Sequence, residues 1–159
     1  TRGKRVHTFS PPSPRLKLIK KHLMPHIKQL KSTSKITSMI DVSDGLLADL
    51  SHICDKSKVG AIIYKEKIPI SGELQSMADS LRKDAVQFAL KGGEDYALLY
   101  TARPNYKTND YKIGEVIKKG RYIIDNKGKK TLFKPEGYEH FKKSAISVQQ
   151  SAVSKKAER

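Results

Sequence analysis

Two short acidic clusters in this sequence carry side chains whose type and spacing could do chemistry. The first is Asp41-Val42-Ser43-Asp44-Gly45. It follows a short apolar-leaning run and precedes an amphipathic one, so it reads as the loop where a strand hands over to a helix. Open α/β sheets place ligands at such handovers, where free backbone N–H groups and the positive end of the helix dipole face the gap. Two carboxylates a few ångströms apart repel by about 4 kcal/mol at an effective dielectric near 20. A helix N-terminus returns only ~0.3–1 kcal/mol to one anion in its first turn. A divalent cation removes the deficit. Magnesium suits the set, because it takes one or two carboxylates, keeps waters and draws its other oxygens from phosphates. The expectation is that Asp41 and Asp44 hold magnesium and present it to a nucleotide that Ser43 contacts. The same residues also satisfy a plain helix start, with Ser43 or Asp44 as N-cap and Asp41 solvated, and spacing alone leaves both open.

The second cluster is Gly92-Gly93-Glu94-Asp95, ahead of the apolar run Ala97-Leu98-Leu99-Tyr100. Paired glycines permit a sharp turn or a close backbone approach to a ligand. Two acids follow, on opposite faces if strand geometry has begun. One of them could hold a cationic or hydroxylated substrate, and a solvated connecting turn is the alternative. A third segment, Glu136-Gly137-Tyr138-Glu139-His140-Phe141, sets an aromatic beside a glycine. Tyr138 could stack on a heteroaromatic ring or simply pack. His52 and His140 have no second histidine or cysteine at ligand spacing, which argues against zinc. Cys54 lies on an apolar helical face and reads as packing.

The elements that must position these clusters follow from periodicity. Leu16, Leu18, Ile19 and Leu23 predict a helix that Pro25 stops, and Ile27 to Leu30 predict a second short one. Ile36 to Ile40 reads as a strand. Leu46, Leu47, Leu50, Ile53 and Cys54 form one face of a helix. Gly60 to Tyr64, the run after Gly93, Ile113 to Ile117 and Arg121 to Asp125 are further strands. Asn126-Lys127-Gly128 turns the last of these into Thr131-Leu132-Phe133. Leu74 to Leu81 and Ala85 to Ala89 are helical. Helices mixed with short strands indicate an α/β or α+β domain around a mixed sheet with flanking helices.

The chain of 159 residues suffices for one domain with its own core. Hydrophobic residues at 37% and charged ones at 30% imply that part of the length is solvated. The expected division is a basic, proline-rich tail over 1–15, a folded domain over 16–141 and a polar tail over 142–159. No apolar run approaches the roughly 20 residues of a membrane helix. A single cysteine excludes an internal disulfide and points to a reducing, cytoplasmic setting. The net charge of +16 raises nucleic acid as a partner. Its lysines are scattered over tails, turns and outer helix faces, without an RNA-binding aromatic signature or basic zipper, which argues against that reading.

Taken in order, these segments resemble thiamine-monophosphate kinases. Met39 to Ile53 is similar to that family's acidic helix-start motif, and Val59 to Ser71 to its next strand and loop. Gly92 to Leu99 is similar to its glycine–acid strand, and Gly137 to Phe141 to its terminal aromatic motif. The resemblance spans roughly Leu16 to Phe141. It implies a synthetase-type carboxy-terminal domain in α/β/α layers. It also implies transfer of the ATP γ-phosphoryl to thiamine monophosphate with magnesium, giving thiamine diphosphate. Carried over by motif, Asp41 and Asp44 would be magnesium ligands, Ser43 an ATP contact, and Glu94 and Tyr138 the thiamine-binding residues. The family's amino-terminal domain is not in this sequence. The expectation is therefore a half-enzyme, inactive alone, completed by an amino-terminal domain or a homodimer partner. Other readings are a different ATP-using synthetase-like enzyme, such as a hydrogenase-maturation or selenophosphate-forming protein, and a basic non-catalytic binding module.

Overall fold

The computed structural model describes residues 13–24, 30 and 33–135. Tyr138, His140, most of the Ile27–Leu30 segment, the tail 142–159 and nearly all of 1–15 lie outside the described residues.

Helix α1 spans Pro14–Leu23, with Ser13 Oγ accepting from Leu16 N at 3.3 Å and proline pre-set in its first turn. Strand β1 (Ile36–Asp41) leads through the acidic loop into α2 (Leu46–Ser57). Then come β2 (Gly60–Tyr64), a single 3-10 turn at Lys65–Lys67, α3 (Gly72–Ser80) and α4 (Ala85–Lys91). The chain ends its described course with β3 (Leu98–Ala102), β4 (Gly114–Ile117), β5 (Arg121–Ile124) and β6 (Lys130–Leu132). These match the elements that periodicity predicts.

What periodicity did not predict is their pairing. β1 and β3 form an antiparallel pair of their own, while the other four strands make a sheet in the order β4-β2-β5-β6. β2 is antiparallel to β4 and parallel to β5, so this sheet is mixed. β4 and β5 are consecutive in sequence yet flank β2, so residues 118–120 must cross beneath its start. Only glycine permits that crossing: a Cβ on Gly60 would sit 2.1 Å from the Gly120 carbonyl oxygen. The β5–β6 turn is closed by Asp125, whose Oδ1 accepts from Lys127 N at 3.0 Å and Lys129 N at 2.9 Å.

The core joins the two pairings through α2. Leu46, Leu47, Leu50 and Cys54 pack with Ala61 and Ile63 of β2, Ile68, Leu90 of α4 and Phe133. Burial at the start of α2 exceeds one face, since every residue from Leu46 to Ser51 is buried, Asp49 and Ser51 among them. Such enclosure needs cover on several sides, and α4 together with the β1–β3 pair supplies it. Cys54 is buried as expected, and burial pushes its thiol above the ordinary range, with Arg121 partly opposing.

Candidate functional site

The two acidic clusters lie 50 residues apart in sequence and are joined by backbone. β1 and β3 pair up to Asp41 opposite Leu98. Beyond that register the ladder continues irregularly: Val42 N donates to Ala97 O at 2.8 Å, Tyr96 N to Val42 O at 2.9 Å and Glu94 N to Ser43 O at 2.8 Å. Ser43 and Glu94 are thus direct partners. Strand geometry has not begun at Glu94 and Asp95, because β3 starts only at Leu98. Glu94 (φ +61°) and Tyr96 (φ +50°) are left-handed, so the condition for placing the two acids on opposite strand faces is not met. A sheet edge that must meet a helix start bends there, and the left-handed residues absorb the bend.

The helix start also differs from expectation. Neither Ser43 nor Asp44 is the N-cap of α2. Gly45 occupies that position at φ +109° and makes no side-chain cap. Asp49, in the first turn, folds back instead: its Oδ2 accepts from Ser43 N at 3.0 Å and Asp44 N at 3.1 Å. Asp49 is 1% exposed, so this is a buried carboxylate satisfied by two backbone donors and the positive end of the helix. It pins the backbone of the half-buried Ser43 and Asp44 just ahead of the helix. Gly45 is required twice, by its φ and because a Cβ there would meet Lys91 C at 3.0 Å and Lys91 O at 3.1 Å. This close approach seats the acidic loop on the end of α4, directly before Gly92 and Gly93.

Asp41 ends β1 on its exposed face, with Thr37 and Met39. Asp44, Asp49 and His52 converge, each offering one ligand atom within 4.8 Å of the others. The donor set fits a hard dication. Asp44 is an accessible carboxylate, Asp49 has a second oxygen beside it, and magnesium needs few protein oxygens when phosphate and water supply the rest. His52 is exposed and adds a nitrogen that magnesium does not require. Asp49 and His52 were not among the residues singled out for a ligand role from sequence. A signal for Asp49 existed: it stands three residues after Leu46 and four before Ile53, bordering the apolar face, where an acid must find donors.

The other acids of the site are already paired. Lys21 Nζ lies 3.3 Å from Asp95 Oδ1, and His22 Nε2 lies 3.2 Å from Glu94 Oε2, both from α1. Among the described residues, no buried side-chain polar atom lacks a partner.

Residues 12–126 match the family described as AIR synthase related protein, C-terminal domain. The thiamine-monophosphate kinase of Aquifex aeolicus is 38% identical over 133 residues, covering 79% of this chain and 42% of that protein. The structure of AaThiL complexed with AMPPCP and TMP superposes with a TM-score of 0.66 at 31% identity, over 84% of this chain and 44% of that one. The hydrogenase maturation protein HypE in complex with ATP superposes at 0.53 with 13% identity, over 70% of this chain and 38% of that one, a likeness of fold alone. The chain thus spans about two fifths of the length of the thiamine-monophosphate kinase it matches, at 42% of that protein.

Proposed function

We propose, from the premise that this chain belongs to the AIR synthase related C-terminal domain family, that it serves as the carboxy-terminal half of an ATP-dependent thiamine-monophosphate kinase. One observation carries the reading: the Ser43–Glu94 backbone link brings a candidate metal–nucleotide loop and a candidate cation-binding turn to the same edge. A kinase must hold a nucleotide and an acceptor within reach, since phosphoryl transfer depends on positioning and charge neutralisation more than on a nucleophilic side chain.

In this reading Asp44 holds magnesium, with Asp41 at the neighbouring strand end completing the acidic set. The ion would neutralise charge building up on the phosphate oxygens. Asp49 holds the loop, leaving the Ser43 hydroxyl to meet the nucleotide. Glu94 faces the thiazolium charge of thiamine monophosphate, and Tyr138 stacks on its ring. The amino-terminal portion of the enzyme supplies the remaining groups, either from another chain or from a longer form of this one. A reducing, cytoplasmic setting suits this chemistry and the buried Cys54 thiol. No described helix is long and apolar enough to cross a membrane.

The test is ADP release with ATP, magnesium and thiamine monophosphate, using this chain alone and mixed with the amino-terminal domain of a related kinase. Turnover is expected only in the mixture. Full turnover by the chain alone overturns the half-enzyme reading, and none in a mixture shown to associate overturns the kinase reading.

A further inference from the structure

Helix α1 is held to the rest of the protein in an unusual way. None of its residues is buried, and of its apolar residues only Leu18 is even half-buried. Leu16, Ile19 and Leu23 remain 55%, 44% and 72% exposed. A cavity of about 250 Å³ opens between α1 and α3, lined by Lys17, Leu18, Lys21, Ser71 and Glu73. Among the described residues, polar side-chain contacts tie the helix down: Lys17 Nζ to Glu73 Oε1 at 3.2 Å, and the two contacts from Lys21 to Asp95 and His22 to Glu94. Those last two lead from adjacent residues of α1 to adjacent acids of the turn, so Asp95 already faces an ammonium and Glu94 an imidazole nitrogen.

We propose that α1 is a displaceable arm whose Lys21 ammonium and His22 imidazole occupy Asp95 and Glu94, and that a ring-bearing cationic ligand binds this turn by exchanging with them. The identity of that ligand rests on the kinase reading above. Two features make exchange feasible. Both pairs are solvent-facing, with side-chain exposures of 63% and 52% for Lys21 and Asp95 and 55% and 39% for His22 and Glu94, so little is lost when they part. The acids cannot follow the arm, because Glu94 N is fixed to Ser43 O and Tyr96 N to Val42 O. The turn is therefore the rigid partner and α1 the movable one. The exposed Lys21–Asp95 ion pair corresponds to about a two- to five-fold penalty on a competing cation.

The test has two arms on the full chain. Without ligand, amide exchange of residues 16–23 is measured by NMR in the native chain and in Glu94→Gln/Asp95→Asn. Exchange is expected to quicken about two- to five-fold in the variant, as the arm loses its tethers; unchanged exchange overturns the proposal. With ligand, calorimetry compares thiamine and its neutral thiophene isostere on the native chain and on Lys21→Gln/His22→Gln. Thiamine is expected to bind about two- to five-fold more tightly to the variant, with the isostere unaffected. Equal thiamine affinity overturns the exchange while leaving the kinase reading in place. Failure of both chains to bind thiamine also overturns the exchange, while the mixing assay above decides the kinase reading separately.

Discussion

Truncating Asp49 tests the organisation of the site most directly. In Asp49→Ala, Ser43 N and Asp44 N lose a charged acceptor at 3.0 and 3.1 Å. Hydrogen bonds to a charged group contribute ~1.5–3 kcal/mol each. Against this, the variant no longer holds a carboxylate away from water, which relieves part of a desolvation cost of several kcal/mol. Ser43 and Asp44 are half-buried and can recover some solvation, so the net loss is about 2–4 kcal/mol. For a domain of this size that lowers Tm by roughly 10–25 °C. Asp49→Asn keeps one neutral acceptor and is expected to lose less, about 1–2 kcal/mol. Urea denaturation with an unchanged m-value, together with calorimetry, measures both. A loss below about 0.5 kcal/mol in Asp49→Ala, far under the hydrogen-bond range, refutes the account. So does an Asn variant more stable than the native chain, since the cost of burying the charge would then exceed what its two loop hydrogen bonds contribute.

Gly45→Ala places a Cβ 3.0 Å from the Lys91 carbonyl carbon at φ +109°; it is expected to lose ~1–3 kcal/mol, read as a lower urea midpoint. Asp44→Asn is expected to abolish magnesium-dependent ADP release in the mixture with an amino-terminal kinase domain while near-ultraviolet circular dichroism stays native, and near-normal turnover would reject the metal role. Cys54, its thiol pushed up by burial, is expected to resist iodoacetamide at mildly alkaline pH until urea unfolds the chain; labelling of the folded chain at the unfolded rate would contradict its placement. The Lys65 ammonium, with help from Val86 N, holds the Asp84 carboxyl below its usual range. Its folded pKa is thus below its unfolded one, so its contribution is present above about pH 4 and fades as pH falls through the folded value. Because Asp84 is largely solvent-facing the effect is small; urea midpoints of native and Asp84→Asn chains are expected to differ slightly near neutrality and to converge in acid.

The elements were legible in the sequence because their signals are local. The apolar spacing from Leu46 to Cys54 specifies a helix, and Asn126-Lys127-Gly128 specifies a hairpin turn, whatever surrounds them. The acidic character of Asp41–Gly45 and Gly92–Asp95, and the resemblance they carry, were readable for the same reason. Which residues share a site was not. Glu94 meets Ser43 only because β1 and β3 pair across the whole of α2, β2, α3 and α4, and nothing in either segment states that register. Asp49 borders an apolar helical face, a local signal that it needs donors but not of where they lie. It becomes a buried anchor for the acidic loop because α4 and the β1–β3 pair enclose the start of α2, so its donors lie backwards along the chain. The His22 and Lys21 side chains beside Glu94 and Asp95 come from α1, more than 70 residues upstream. Local periodicity sets what each segment becomes, whereas burial and charge pairing depend on segments brought together by the fold, and that contact is where this site is made.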